Sequence, residues 1–187
     1  MIAGIVVGVI IVILLIVFVV RYNGLVGLRN QVKNSWAQID VLLKRRHDLI
    51  PNLIETVRGY KDFERSTLEA VVKARNVAQA GAAASPPQRA EMEGALGSFL
   101  SRLLVVVERY PDLKANQNFL ALQGQLTETE NGISSARQTY NGAVLNLNNR
   151  IQMFPSNIVA GMTGFKAAEF FEVKVPEEKE PVQVKFT

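Results

Sequence analysis

The chain of 187 residues has a single histidine and no cysteine. His47 lies in "KRRHDLIP", residues 44–51, beside Arg45, Arg46 and Asp48, with Pro51 four positions on. Two chemistries would fit that stretch. A carboxylate such as Asp48 could tune His47 as a base, or Arg45 and Arg46 could grip a phosphate. Catalysis needs a nucleophile or an electrophile-stabilising group as well, and metal binding needs more than one strong ligand. There is no second histidine, no thiol, and no H-E-x-x-H, G-x-S-x-G or Walker-type sequence to supply them. Glu55, Asp62, Glu64, Glu128 and Glu130 lack the Glu-x-x-His pairs that a di-metal bundle uses, and read as solvated helix faces. The expectation is a protein that is not an enzyme, with no catalytic residues, no cofactor and no metal.

A structural reading accounts for more of the motif. Pro51 inside a helix lacks the N–H that would bond the His47 carbonyl, at a cost of about 3 kcal/mol unless something compensates. A kink is expected there. His47 falls on the same side as Leu43, Ile50 and Ile54, which makes it a partly buried histidine with one ring nitrogen satisfied. Lys44, Arg45 and Arg46 are consecutive, so each points about 100° from the last, and some of them face solvent or another subunit. Arg45, Arg46, His47, Asp48 and Pro51 are therefore candidates for a helix bend and a subunit contact.

The elements that would hold this motif start at the N-terminus. "IAGIVVGVIIVILLIVFVV", residues 2–20, contains no charge, and as a helix it reaches about 28 Å, the thickness of a bilayer's hydrocarbon core. It lacks the basic n-region and cleavage site of a signal peptide, so a retained anchor over residues 1–21 is expected. Gly4 and Gly8 are four apart and offer a close-packing face to a neighbouring anchor. Arg21, Arg29 and Lys33 follow the apolar run, and the positive-inside bias then puts the N-terminus outside and the bulk in the cytoplasm. The net charge of +4 is concentrated near the membrane exit, since residues 21–75 carry eleven Lys and Arg against six Asp and Glu. Such residues favour anionic lipid. No recognition motif or stacking platform points to nucleic acid.

Leu25, Leu28, Val32, Ile39, Leu42, Leu49 and Leu53, with a second stripe through Trp36, Leu43, Ile50, Ile54 and Val57, predict one helix over 2–58, with Gly24 and Gly27 as the place just past the membrane exit where a joint would form if there is one. "GYKDFERS" interrupts it, and "STLE" reads as a capping box opening a second helix over 66–80. A linker over residues 81–88 leads to a third helix through Leu96, Leu100, Leu103, Leu104 and Val107. After a turn at Tyr110 and Pro111, a fourth is expected from about 112 to 153. Asn116, Asn118, Gln123, Asn141, Asn146 and Asn148 are many amides for one helix. They either bond across the bundle or face another subunit. The soluble part, residues 22–155, is thus an all-α antiparallel four-helix bundle. In the tail, 156–187, a short helical piece precedes "FEVKV" and "VQVKF". The alternation there gives Phe171, Val173, Val175, Val182, Val184 and Phe186 as strand-pairing candidates, or else a charged, frayed terminus.

The runs "YNGLVGLRNQVKNSWAQIDVLLKRRHDLIPNLIETVRGY", "STLEAVVKAR" and "YPDLKANQNFLALQGQLTETENGISSARQTYNGAVLNLNNRIQMFPSNIVAGMTGFKAAEFFE" resemble the LemA family over about 150 residues. Gly132 and Gly142 depart from the pattern, where a larger residue would favour helix. The resemblance implies an N-terminal membrane anchor and an up-and-down, bromodomain-like helical bundle, with no known enzymatic activity or cofactor. One branch of the family is linked to magnetosome membranes, and some members are exported across the inner membrane, which keeps the opposite orientation, with the bulk outside, as the alternative. The expectation is a single-pass protein of the bacterial cytoplasmic membrane that self-associates as a homo-oligomer and organises or remodels the bilayer. The alternative is a tethered adaptor or regulator of another membrane protein.

Overall fold

The computed structural model describes residues 1–60 and 63–172, and among these every regular element is helical, with no strand. α1 spans Ile2–Arg58 as one helix. As the apolar spacing predicts, no joint forms at Gly24 and Gly27, and the helix continues through Pro51. α2 is Arg65–Ala80, α3 Pro86–Val107, α4 the single turn Pro111–Lys114, α5 Gln117–Gln152 and α6 Ser156–Thr163. A 3₁₀ turn at Gly81–Ala83 joins α2 to α3.

Helix starts differ from the local expectation in three places. The "STLE" box does not open α2, because Glu64 holds the N-cap position and its carboxylate accepts from the Thr67 hydroxyl at 3.2 Å. Ser66 is already inside the helix. The capping box is Ser85 with Gln88, whose side chain accepts from the Ser85 N–H at 3.3 Å. The expected linker is therefore shorter, since Pro86 and Pro87 occupy the first helical positions, where a missing N–H costs nothing. The fourth predicted helix is divided, and Asn116 is its N-cap, accepting from the Phe119 N–H at 3.1 Å.

α1 and α5 form the long axis of the molecule. Leu42 lies against Gly132 and Trp36 against Tyr140 at 5.0 Å, and Leu25 shares a cluster with Leu147, so numbers fall on one helix as they rise on the other. The pair is antiparallel. Distal to the N-terminus, Ile50, Leu53 and Val57 of α1 pack with Val71 of α2, Leu96 and Leu103 of α3 and Phe119 and Leu126 of α5. Nearer the N-terminus, α2 and α3 have ended and α6 takes their place, setting Val159 and Ala160 on Leu25 and Leu147.

Gly164 closes α6 with φ 73°, a left-handed position that a glycine adopts without strain, while the Phe165 N–H bonds back to the Ala160 carbonyl at 3.0 Å. The chain then runs back along α5 as an extended strap. Side-chain amides bond its backbone at Ala168 and Phe171. Asn148 Oδ1 accepts from the Ala168 N–H at 2.8 Å and its Nδ2 donates to the Ala168 carbonyl at 2.9 Å. One heptad earlier, Asn141 does the same to Phe171 at 2.9 and 3.3 Å. Between them the Tyr140 hydroxyl donates to the Glu169 carbonyl at 2.8 Å, and burial, with the Glu169 carboxylate, pushes that phenol up to about 12. Each amide imitates a peptide group, so at Ala168 and Phe171 the strap makes paired hydrogen bonds like those of a strand, with helix side chains in place of a neighbouring backbone.

Phe171, expected at the start of a strand, is instead in a bend and buried, 5.6 Å from Trp36 and beneath the Arg137 guanidinium at 5.5 Å. A ring of that size gains more from a closed apolar site than an exposed strand would offer it. Val173, Val175, Val182, Val184 and Phe186 lie outside the described residues. Residues 2–17 and 19–20 stand exposed, clear of the body.

Candidate functional site

The "KRRHDLIP" segment lies where α1 meets α2, α3 and α5, and the fold divides its residues sharply. Arg46 is 3% exposed and His47 6%. Arg45, Asp48 and Pro51 face outward. Arg45 pairs with Glu128 at 3.0 Å, and Lys44 with Asp48 at 2.9 Å, one turn apart on the same helix. The Lys44 ammonium holds the Asp48 carboxyl below its ordinary value. Lys44, Arg45 and Arg46 thus point in three directions.

The buried half is a charge cluster that binds three helices. The Arg46 guanidinium pairs with Glu93 of α3 and, through Nη1, with Glu130 of α5 at 2.8 Å. His47 Nε2 lies against both Glu93 oxygens, at 3.2 and 3.3 Å. Glu93 is 5% exposed. Burial opposes its charge, but the His47 hydrogen bond and the Arg46 charge outweigh this and hold its carboxyl below the usual value. A buried ion must be paired or it is expensive, so the cluster fixes the rotation of α1 relative to α3 and α5. A second pair lies one and a half turns away, where Arg89 of α3 reaches Asp40 of α1 and stacks over Trp36 at 5.3 Å.

Pro51 has its own compensation. The carbonyl it leaves without a helical partner belongs to His47, and the Arg75 Nε–H of α2 donates to that oxygen at 2.8 Å. His47 is therefore held at both ends, its ring by α3 and its carbonyl by α2.

Glu93, Glu130 and Arg75 carry much of this geometry and were not singled out as its partners by local reasoning. Glu93 had a signal. It falls three residues before Leu96 and three after Ala90, on the buried stripe of α3, where a carboxylate requires a partner. Glu128 and Glu130, read as solvated, are the partners of Arg45 and Arg46. Gly4 and Gly8 lie exposed one turn apart, with open space where a Cβ would stand.

Between α3 and α5, next to the cluster, lies a mostly apolar cleft of about 290 Å³ lined by Leu53, Leu100, Leu104 and Leu126, with Glu130 at its edge.

The sequence matches the LemA family over residues 35–186. The chain belongs to the LemA family. Among LemA relatives, magnetosome protein MamQ 2 of Paramagnetospirillum magneticum is 26% identical over 178 residues, covering 82% of this chain. Protein LemA of Metamycoplasma hominis is 28% identical over 166 residues, covering 85% of this chain and 75% of its own length. Magnetosome protein MamQ of Magnetospirillum gryphiswaldense is 23% identical over 178 residues, again covering 82% of this chain. The chain spans 65% of the length of either magnetosome relative. As in the reading from sequence, the described residues of this LemA-family chain include one helix long and apolar enough, by length and composition, to cross a membrane, with a mean hydropathy of 3.5 in its most apolar window and none of that window buried. That helix and the LemA family match support a membrane-associated protein.

Proposed function

We propose that this is a non-enzymatic, single-pass membrane protein that self-associates laterally and so organises or remodels the bilayer that holds it. The observation that carries this reading is the continuity of α1. One helix includes the exposed apolar segment at one end and Ile50, Leu53 and Val57 of the core at the other. Its 57 residues make a rod of about 85 Å at the helical rise of about 1.5 Å per residue. The body cannot tilt without tilting the anchor. Packing of bodies then sets the angle and spacing of the membrane segments, and Gly4 and Gly8 offer those segments a face for close approach. We read α1, α2, α3 and α5 as an antiparallel up-and-down, bromodomain-like bundle. The basic residues after Val20 favour a cytoplasmic body in the bacterial inner membrane.

Reconstituting the full-length chain into liposomes, with cross-linking and imaging, tests the proposal. Cross-linked ladders and altered liposome shape are expected. A chain that stays monomeric in lipid and leaves the liposomes unchanged would remove it. The cleft between α3 and α5 favours a second reading, an adaptor presenting an apolar groove to another membrane protein. In that case monomers co-purify with one different protein and the Leu104→Glu variant loses it.

A further inference from the structure

The α5–α6 corner exposes a group of large apolar side chains that no other described residue covers: Met153 at 56%, Phe154 at 80%, Ile158 at 54% and Met162 at 73%. Elsewhere on the body such residues occur singly. The corner's height along α1 follows from the antiparallel register. With Leu42 opposite Gly132, Trp36 opposite Tyr140 and Leu25 beside Leu147, α5 reaches Met153 level with about residue 20 of α1, at a rise of about 1.5 Å per residue on both helices. That is where the uncharged run of α1 ends. Side chains join the two directly, since Phe18 packs on the cluster of Leu25, Leu147 and Val159, and Tyr22 meets Phe165 at 6.1 Å.

Charge is divided along the same axis. Residues 1–39 and 131–168, which include the lower half of α1, most of α5 and all of α6, contain no Asp or Glu. They carry Arg21, Arg29, Lys33, Arg137, Arg150 and Lys166. The carboxylates of the charge cluster, Asp40, Glu93, Glu128 and Glu130, all lie on the far side of these segments. One end of the body is thus apolar at its tip and cationic around it, and it adjoins the membrane-length helix.

We propose that the α5–α6 corner is a second membrane contact, which inserts Met153, Phe154, Ile158 and Met162 into the interfacial layer of the leaflet beside α1, while the surrounding Arg and Lys bind anionic headgroups. The proposal rests on the reading of residues 2–20 as an anchor. α6 suits the role: Val159 and Ala160 face α1 and α5, and Ile158 and Met162 point away from them. Two contacts on one rigid body define a plane. The body is then held against the membrane at a set tilt, where a single anchor would leave it free to swing.

Because the chain has no cysteine, a single one can be introduced and labelled with an environment-sensitive fluorophore. Full-length Phe154→Cys, Met162→Cys, Val105→Cys and Val12→Cys variants would be reconstituted in vesicles of phosphatidylcholine with and without phosphatidylglycerol. All four positions are exposed, so the label displaces no packing. Probes at 154 and 162 should lose most of their emission to a quencher borne on the upper acyl chain and resist aqueous iodide. The effect should be stronger with phosphatidylglycerol, and the probe at 105 should behave in the opposite way. Probes at 154 and 162 that iodide quenches as readily as the one at 105 would overturn the proposal. So would probes shielded from both quenchers in proportion to protein density, since a second copy would then cover the corner. The probe at 12 separates the two readings. Quenching there from deep in the bilayer, with none at 154, leaves the anchor intact and removes only the corner contact.

Discussion

At the scale of single residues, the cluster around His47 turns on Glu93. Its carboxyl is held below the ordinary value despite burial, so its stabilising contribution is fully present above the unfolded value of about 4.5 and is lost as pH falls through the lower folded value. Urea unfolding of the full chain in detergent should show stability dropping on the acid side, with a shallower drop in Glu93→Gln. Glu93→Ala, which leaves the Arg46 charge with Glu130 alone, should cost about 3–5 kcal/mol at neutral pH, read as a lower urea midpoint. His47→Gln should cost far less, because an amide can still donate to Glu93. The burial of His47 was legible from its position on the Leu43 and Ile50 side. Its partner was not, because His47 and Glu93 are 46 residues apart and their contact depends on how α1 and α3 cross.

Elements supply the next level. α1 passes Pro51 because Arg75 replaces the missing donor, and this predicts a coupling between the two positions. Arg75→Met should destabilise by about 1–3 kcal/mol in the native background, where the His47 carbonyl is then orphaned. In Pro51→Ala, whose restored N–H bonds that carbonyl, the same change should cost much less. A double-mutant cycle by urea unfolding reads the difference. The glycines of α5 divide similarly. A Cβ at Gly142 meets nothing within 4 Å, whereas one at Gly132 would come within 3.2 Å of Leu42 Cδ2. Gly142→Ala should therefore stabilise by about 0.5–1 kcal/mol, and Gly132→Ala by clearly less, when midpoints are compared. Helix lengths were legible wherever apolar spacing ran unbroken, as in α1 and α5. Helix starts were less so, since "STLE" and "SPPQ" both carry capping residues and only the packing of α2 decides between Glu64 and Ser66. The strap escaped detection because its hydrogen bonds go to Asn141 and Asn148, whose amides gave a signal in number but none in direction.

For the whole molecule, sequence patterning captured an apolar segment joined to a helical body. It missed the exchange of α2 and α3 for α6 along the rod, which leaves the body broad at one end and slender at the other. The unbroken α1 also makes azimuth a transmitted quantity. Each residue added within residues 2–20 turns everything before it by about 100° relative to the body and shifts it by about 1.5 Å. One alanine inserted after Val12 should carry the Gly4 and Gly8 face away from its neighbours while the body's own contacts stay in place. Two should do so as well, at about 200°, whereas four return the face to within about 40° of its first position. Lateral cross-linking in liposomes should accordingly fall, stay low and recover across the series, as with gear teeth that mesh only at certain angles. An assembly indifferent to that phase would mean that the rod slips at the membrane exit and that the body and the anchor turn independently.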